Sequence, residues 1–149
     1  MHSINWKRVR HFTPEEFNDP NYPDSGKNID GTLLYRVDEL RHETGWPILT
    51  HWKVGGCIDV DGSQGHSKNS YHLIANGAKA CDFHFITEVD SRLQYREVEK
   101  MGFPGLGIYY DWHWNGKLLR IGFHVDMRPK SRLQRWTRRN GEYFYLLGR

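Results

Sequence analysis

Ser70-Tyr71-His72-Leu73-Ile74-Ala75-Asn76-Gly77-Ala78-Lys79-Ala80-Cys81-Asp82-Phe83-His84 is the stretch around which the chain is organised. It sets a histidine and an aspartate on either side of a small-residue turn, and the aspartate enters an apolar run, Ala80 to Phe85, that predicts a strand. A second histidine, His124, sits late on another strand-like run, Gly122-Phe123-His124-Val125-Asp126. Two histidines and one carboxylate make the ligand set of an open zinc site, in which water takes the fourth position.

Upstream of this stretch, Thr13-Pro14-Glu15-Glu16-Phe17 combines a capping Thr, a Pro at the first helical position and a Glu three after the cap, the signature of a short helix start. From Asp30 onward Leu33, Leu34, Val37 and Leu40 recur with helical period, and Gly45 and Pro47 stop the run. The spacing predicts a core helix over about 31–44. Ile48 to Val54 reads as a strand ended by Gly55-Gly56, and Cys57 to Asn69 as a loop. Asp59-Val60-Asp61-Gly62-Ser63 has a superficial likeness to a calcium loop, but the later ligands and the closing Glu are missing.

Downstream, Thr87-Glu88-Val89-Asp90 caps a helix that carries Leu93, Val98 and Met101 and is closed by Gly102 and Pro104. Leu106 to Trp114 and Lys117 to Met127 flank Asn115-Gly116, the strongest short-range hairpin signal. A last pair, Leu133 to Arg138 and Glu142 to Leu147, surrounds Asn140-Gly141. Helices come early and hairpins late, so the expected class is α+β, with a largely antiparallel sheet and two to three helices. At 149 residues, with no linker or break in composition, the chain is expected to form one domain over 1–149.

Six tryptophans, eight tyrosines and seven phenylalanines in a chain only 38% hydrophobic predict an aromatic core, with rings left over to line a groove for sugar or peptide. No window approaches the roughly 20 apolar residues of a membrane span, and the N-terminus lacks the apolar core of an export signal. The expectation is a soluble protein made in the cytoplasm. Cys57 and Cys81 are too few for a disulfide scaffold and lack CxxC spacing, so two free, partly buried thiols are expected. The net charge of +3 conceals a local excess: six basic residues and no acidic one lie between Arg128 and Arg139. That segment is either a solvated strand face or a surface for nucleic acid or an anionic polymer such as a cell wall.

The order of Phe12-Thr13-Pro14-Glu15-Glu16-Phe17, a Leu-rich helix ending Gly45-Trp46-Pro47-Ile48, Ser-x-His, Ala-x-Ala-x-Asp and His124-Val125-Asp126-Met127-Arg128 followed by Arg135-Trp136 resembles the M15-type zinc peptidases. These share the hedgehog/D-Ala-D-Ala peptidase fold and include D,D-carboxypeptidases and phage L-alanyl-D-glutamate endolysins. The resemblance runs from about Phe12 to Trp136. It implies that His72, Asp82 and His124 hold zinc, and that the chain cuts a peptide bond at a D-amino acid in peptidoglycan stem peptides. A phage or prophage lysis enzyme fits, reaching the wall after release, as a monomer, without membrane insertion and with no nucleic acid partner.

The chain also departs from the family. The first His and the Asp are ten apart rather than seven, as if Ile74 to Gly77 carried a three-residue insertion, and Ala78 stands where the family has Gly. Thr50-His51-Trp52-Lys53 replaces the segment whose Arg holds a substrate carboxylate, and Ile121 occupies the place of an acidic catalytic residue.

Amide hydrolysis at zinc needs a carboxylate near the attacking water to take and return its proton. Asp126, two residues after His124 on a strand and hence on the same face, is the expected base. Its rival role is to hold a ligand imidazole in one tautomer, and Asp111 is a weaker alternative base. Lys53, Ser70 and Arg128 are the expected substrate contacts, with Lys53 or Arg128 pairing with a substrate carboxylate. His66, His84 and His113 are expected to be ordinary surface or core residues, although His84 shares the face of Asp82 and could replace a ligand. The alternative to an enzyme is a non-catalytic zinc-containing module that binds cell wall or nucleic acid through the basic segment 128–139.

Overall fold

Periodicity and turn chemistry place most of the elements. The computed structural model describes residues 4–119 and 121–148; Met1 to Ser3, Arg120 and Arg149, which fall within the expected N-terminal and strand segments, lie outside the described residues. Two α-helices, α1 (Gly31–Thr44) and α2 (Ser91–Lys100), accompany eight strands: β1 (Ile48–Thr50), β2 (Ala80–Phe85), β3 (Gly105–Tyr109), β4 (His113–Trp114), β5 (Lys117–Leu118), β6 (Gly122–Asp126), β7 (Gln134–Arg139) and β8 (Glu142–Gly148). Six of them form one sheet in the order β1-β2-β6-β3-β7-β8, while β4 and β5 pair separately. Within the large sheet only β3 and β7 run parallel; the other neighbours are antiparallel. The result is a single α+β domain with a mostly antiparallel sheet.

The Asp30 carboxylate accepts the Leu33 amide at 2.9 Å and starts α1, which then buries Leu33, Leu34, Val37 and Leu40. These side chains join Val98 of α2 and Phe83, Phe123, Val125, Leu106 and Ile108 of the sheet in one cluster. Both Asn-Gly pairs make hairpin turns with two successive positive φ angles, 51° and 75° at Asn115-Gly116, 51° and 79° at Asn140-Gly141. That is the turn geometry whose twist matches flanking strands.

Four expectations are corrected. The Thr13-Pro14 start opens only a 3-10 turn, Pro14–Phe17, although Glu16 does reach back to the Thr13 amide at 2.8 Å. The strand expected over Ile48 to Val54 stops at Thr50, because the His51 carbonyl accepts the Val54 and Gly56 amides and closes a turn. The arms around Asn115-Gly116 do not pair along their whole length. β3 pairs with β6 in the main sheet and only the tip forms β4–β5. On α2, Leu93 is 46% exposed and Gln94 is buried instead.

Candidate metal centre

The sheet register builds the site. Asp82 lies opposite His124 across β2 and β6, Gly107 opposite His124 on β3, and Trp136 opposite Gly107 on β7. One step along, Ala80, Asp126 and Gly105 form the next row. Alternation puts both rows on the face away from the helices. β3 contributes glycine to each row for a steric reason: a Cβ at Gly105 would overlap the Asp126 carboxylate, and one at Gly107 would overlap the Trp136 indole.

His72 arrives from the loop. Ser70 Oγ accepts the His72 amide at 3.2 Å, while the Asn76 amide side chain donates to the Lys68 and Ser70 carbonyls at 2.8 Å each. Ile74–Asn76 coil into a 3-10 turn, which takes up the extra residues between His72 and Asp82. Ser70, expected as a substrate contact, is thus a brace for this turn.

One ligating atom from each of His72, Asp82 and His124 lies within 4.8 Å of the others, and all three residues are buried. His124 Nδ1 is 2.8 Å and His72 Nε2 is 3.6 Å from Asp82 Oδ1. The far nitrogen of each ring is anchored: His72 Nδ1 sits 2.8 Å from the Cys57 carbonyl, and His124 Nε2 sits 2.7 Å from Asp126. A carbonyl only accepts, so His72 Nδ1 carries the proton and its Nε2 is free to ligate; such outer partners orient metal-binding histidines generally. The set of two imidazoles and one carboxylate, each already aimed, fits a divalent metal.

Asp126 is therefore behind His124, not beside the ligand group. Arg128 donates to both its oxygens, from Nε at 2.8 Å and Nη2 at 2.7 Å, and the Arg128 amide donates to Oδ1 at 3.1 Å. Of the two roles expected for Asp126, these contacts fit the one that orients a ligand imidazole: its carboxylate is taken up by His124 Nε2 and by Arg128. Arg128 is committed too, with Nη1 on Gln134 at 2.7 Å and its guanidinium over the rings of Tyr71 and Trp136, which leaves it poorly placed as a carboxylate clamp.

The electrostatics follow. Burial would raise the Asp82 carboxyl, but His72 and His124 outweigh it and hold it below the usual range. Asp126 is likewise lowered, burial being overcome by Arg128 and His124. Burial would lower His124, yet the flanking carboxylates Asp126 and Asp82 push it up to about 9. Without metal, His124 is thus an imidazolium bridging two carboxylates.

The remaining candidates lie elsewhere. Lys53 is exposed on the turn Trp52–Val54 with its ammonium over the Trp52 ring. Asp111 accepts Arg138 Nε at 2.8 Å and the Gly141 amide at 2.6 Å, so it fastens the last hairpin rather than serving as a base. His84 Nδ1 is 2.7 Å from His51 Nε2, a pairing that removes it as a rival ligand. His51 is stacked between Trp112 and Trp114, and burial pulls its pKa down to about 4. His113 is exposed.

His66, expected to be an ordinary surface or core residue, is hydrogen-bonded and lies against the candidate ligand His72. Its ring stacks on His72 with centroids 4.2 Å apart, and its Nδ1 lies 2.9 Å from the Asp59 carboxylate. The Asp59 side chain is fully buried, whereas that of His66 is 21% exposed. Burial, then the neighbouring His72, lowers the His66 pKa, so it is neutral at pH 7. Asp59 also belongs to an acidic group with Asp19 and Asp61, whose oxygens accept from the Gly62, Val60 and Ser63 amides and from Gln64 and Tyr22. These contacts account for the group without a cation.

Four of the six basic residues of segment 128–139 make contacts within the chain, while Lys130 and Arg132 are exposed. Arg128 pairs with Asp126, Arg138 with Asp111, Arg135 with Glu99 at 3.6 Å, and Arg139 covers the Tyr110 ring. None of the described helices is long and apolar enough to cross a membrane. Comparison of the chain with protein-family models, with curated proteins and with solved structures yields no match.

Proposed function

We propose that the protein is a zinc-dependent peptidase with a hedgehog/D-Ala-D-Ala peptidase-like fold, cleaving a peptide bond at a D-amino acid in peptidoglycan stem peptides. The observation that carries this reading is the buried convergence of His72, Asp82 and His124 with the outer nitrogen of each imidazole already anchored. The motif resemblance supplies the substrate class.

A zinc ion held there would polarise the scissile carbonyl and lower the pKa of a bound water toward 7. The chain's own residues do the rest. Cys57 and Asp126 fix the two imidazoles in their ligating tautomers, and Arg128 keeps Asp126 ionised. His66 is the proton carrier: Asp59 holds its Nδ1–H, leaving neutral Nε2 to take a proton beside His72 and return it to the leaving amine. This dyad replaces the acidic residue whose place Ile121 occupies.

The test is release of peptide from purified cell wall by protein containing about one zinc per chain by elemental analysis. Release that stops in EDTA and returns with zinc is the expected result. A zinc-loaded protein that releases nothing from any wall is a binding module, and a protein without zinc removes the metal assignment itself.

A further inference from the structure

The only two cysteines of the chain lie side by side behind the metal centre. Both are fully buried, and their sulfurs are 3.5 Å apart. Their remaining contacts are weak: Cys57 Sγ is 3.9 Å from the Glu16 carbonyl and Cys81 Sγ is 3.7 Å from that of Asp82. The backbones that carry them are joined next to both cysteines, where the Asp82 amide donates to the Gly56 carbonyl at 2.6 Å, and the Cys57 segment is held on its other side by the Ile58 amide donating to the Phe17 carbonyl at 3.2 Å. A disulfide bond is about 2.05 Å long, so sulfurs that stand 3.5 Å apart must approach by about 1.5 Å.

We propose that Cys57 and Cys81 are an oxidative modification site, which closes to an intramolecular disulfide when the chain folds in the presence of a low-molecular-weight disulfide. One cysteine thiolate attacks the oxidant's S–S bond, forming a mixed disulfide and releasing one thiol. The second cysteine thiolate then displaces the other half, forming the Cys57–Cys81 bond. Two protein thiols lose two protons and two electrons, and the oxidant is reduced to two thiols. Because both sulfurs are buried in the finished fold, the exchange takes place during folding or transient opening, not on the closed native state.

The position gives the bond its consequence. Cys57 supplies the carbonyl that orients His72, and Cys81 immediately precedes Asp82. A covalent link here ties the backbone behind two of the three ligands and restricts the unfolded chain across the residues between them.

The experiment refolds the full-length, reduced and unfolded protein in a mixture of oxidised and reduced glutathione, with a parallel sample in reduced glutathione alone. Each is quenched in acid, alkylated under denaturing conditions and weighed intact. The expected product of the first is a monomer lighter by two hydrogens that takes up no alkyl group, while the second takes up two. Thermal unfolding of the two forms, identical in sequence, should put the oxidised one higher. If refolding yield is poor, the same mass readout is taken on protein expressed in an oxidising compartment and purified without reductant. Two alkylatable thiols after oxidising treatment, or an oxidised form that melts below the reduced one, would overturn the proposal.

Discussion

The two faces of the six-stranded sheet are made by the same strands and obey opposite rules. On β2 and β6, Phe83, Phe123 and Val125 point toward the helices, while Asp82, His124 and Asp126 point the other way, and all six are buried. The apolar face gains from burial without regard to direction. The polar face loses solvation, and it is stable only because each buried charge meets an opposite one in a definite geometry: Asp82 with His124, Asp126 with Arg128. The lesson is that a substitution on the first face should weaken the fold as a whole, whereas one on the second should change metal and proton chemistry at specific atoms.

The sharpest test of that contrast is His66→Gln. Gln can keep a hydrogen bond to Asp59 but cannot carry a proton. Turnover of stem peptide should fall by about 10²–10⁴, with zinc content unchanged. A variant with full turnover would remove His66 from the chemistry. The apolar counterpart is Phe123→Ala, where a fully buried ring is lost. Denaturant unfolding should show a loss of about 3–5 kcal/mol. A loss under 1 kcal/mol would mean that this face is not the core.

Asp126→Asn tests the polar face at a residue that does not itself ligate. Zinc affinity should drop roughly 10- to 100-fold, and activity should recover at high added zinc. A fall in rate at saturating zinc would instead return Asp126 to the role of base.

The pH dependence separates metal-free from metal-bound protein. Because the His124 pKa is raised to about 9 in the metal-free fold, its imidazolium stabilises that fold fully below the ordinary value of 6.5, and the contribution is lost as pH rises through about 9. Metal must displace that proton from Nδ1, so zinc affinity should run the other way. It should climb about tenfold per pH unit from 7 toward 9 and then level, as read by competition with a chromophoric chelator. An affinity flat across this range would show that His124 binds metal without releasing a proton.

Much of this was legible in the chain itself. The apolar period from Leu33 to Leu40 marked α1, the run from Ala80 to Phe85 marked β2, and each Asn-Gly marked a hairpin turn; all three signals act within a few residues, so the structure reproduces them. The candidate ligands His72, Asp82 and His124 were legible as a set because two of them sit on strands with clear patterns. The structure brings them together despite the irregular spacing after His72. Local pattern also misled: the apolar character of Ile48 to Val54 suggested a longer strand, but a turn closed by the His51 carbonyl competes for the same backbone groups.

Tertiary structure alone decided the direction of each atom. Asp126 and His124 share a face by simple alternation, but that Asp126 stands behind the ring follows from Arg128 and Gln134 holding it there, and from Gly105 leaving it room. His66 had no periodicity to distinguish it from its loop; it gains a role only where the fold lays it on His72 and against buried Asp59. The bond from His124 to Asp82 spans 42 residues of sequence. Propensity and turn chemistry are set by neighbours along the chain, whereas the side of an imidazole that faces a carboxylate is set by strand register, and register becomes definite only when the whole sheet assembles.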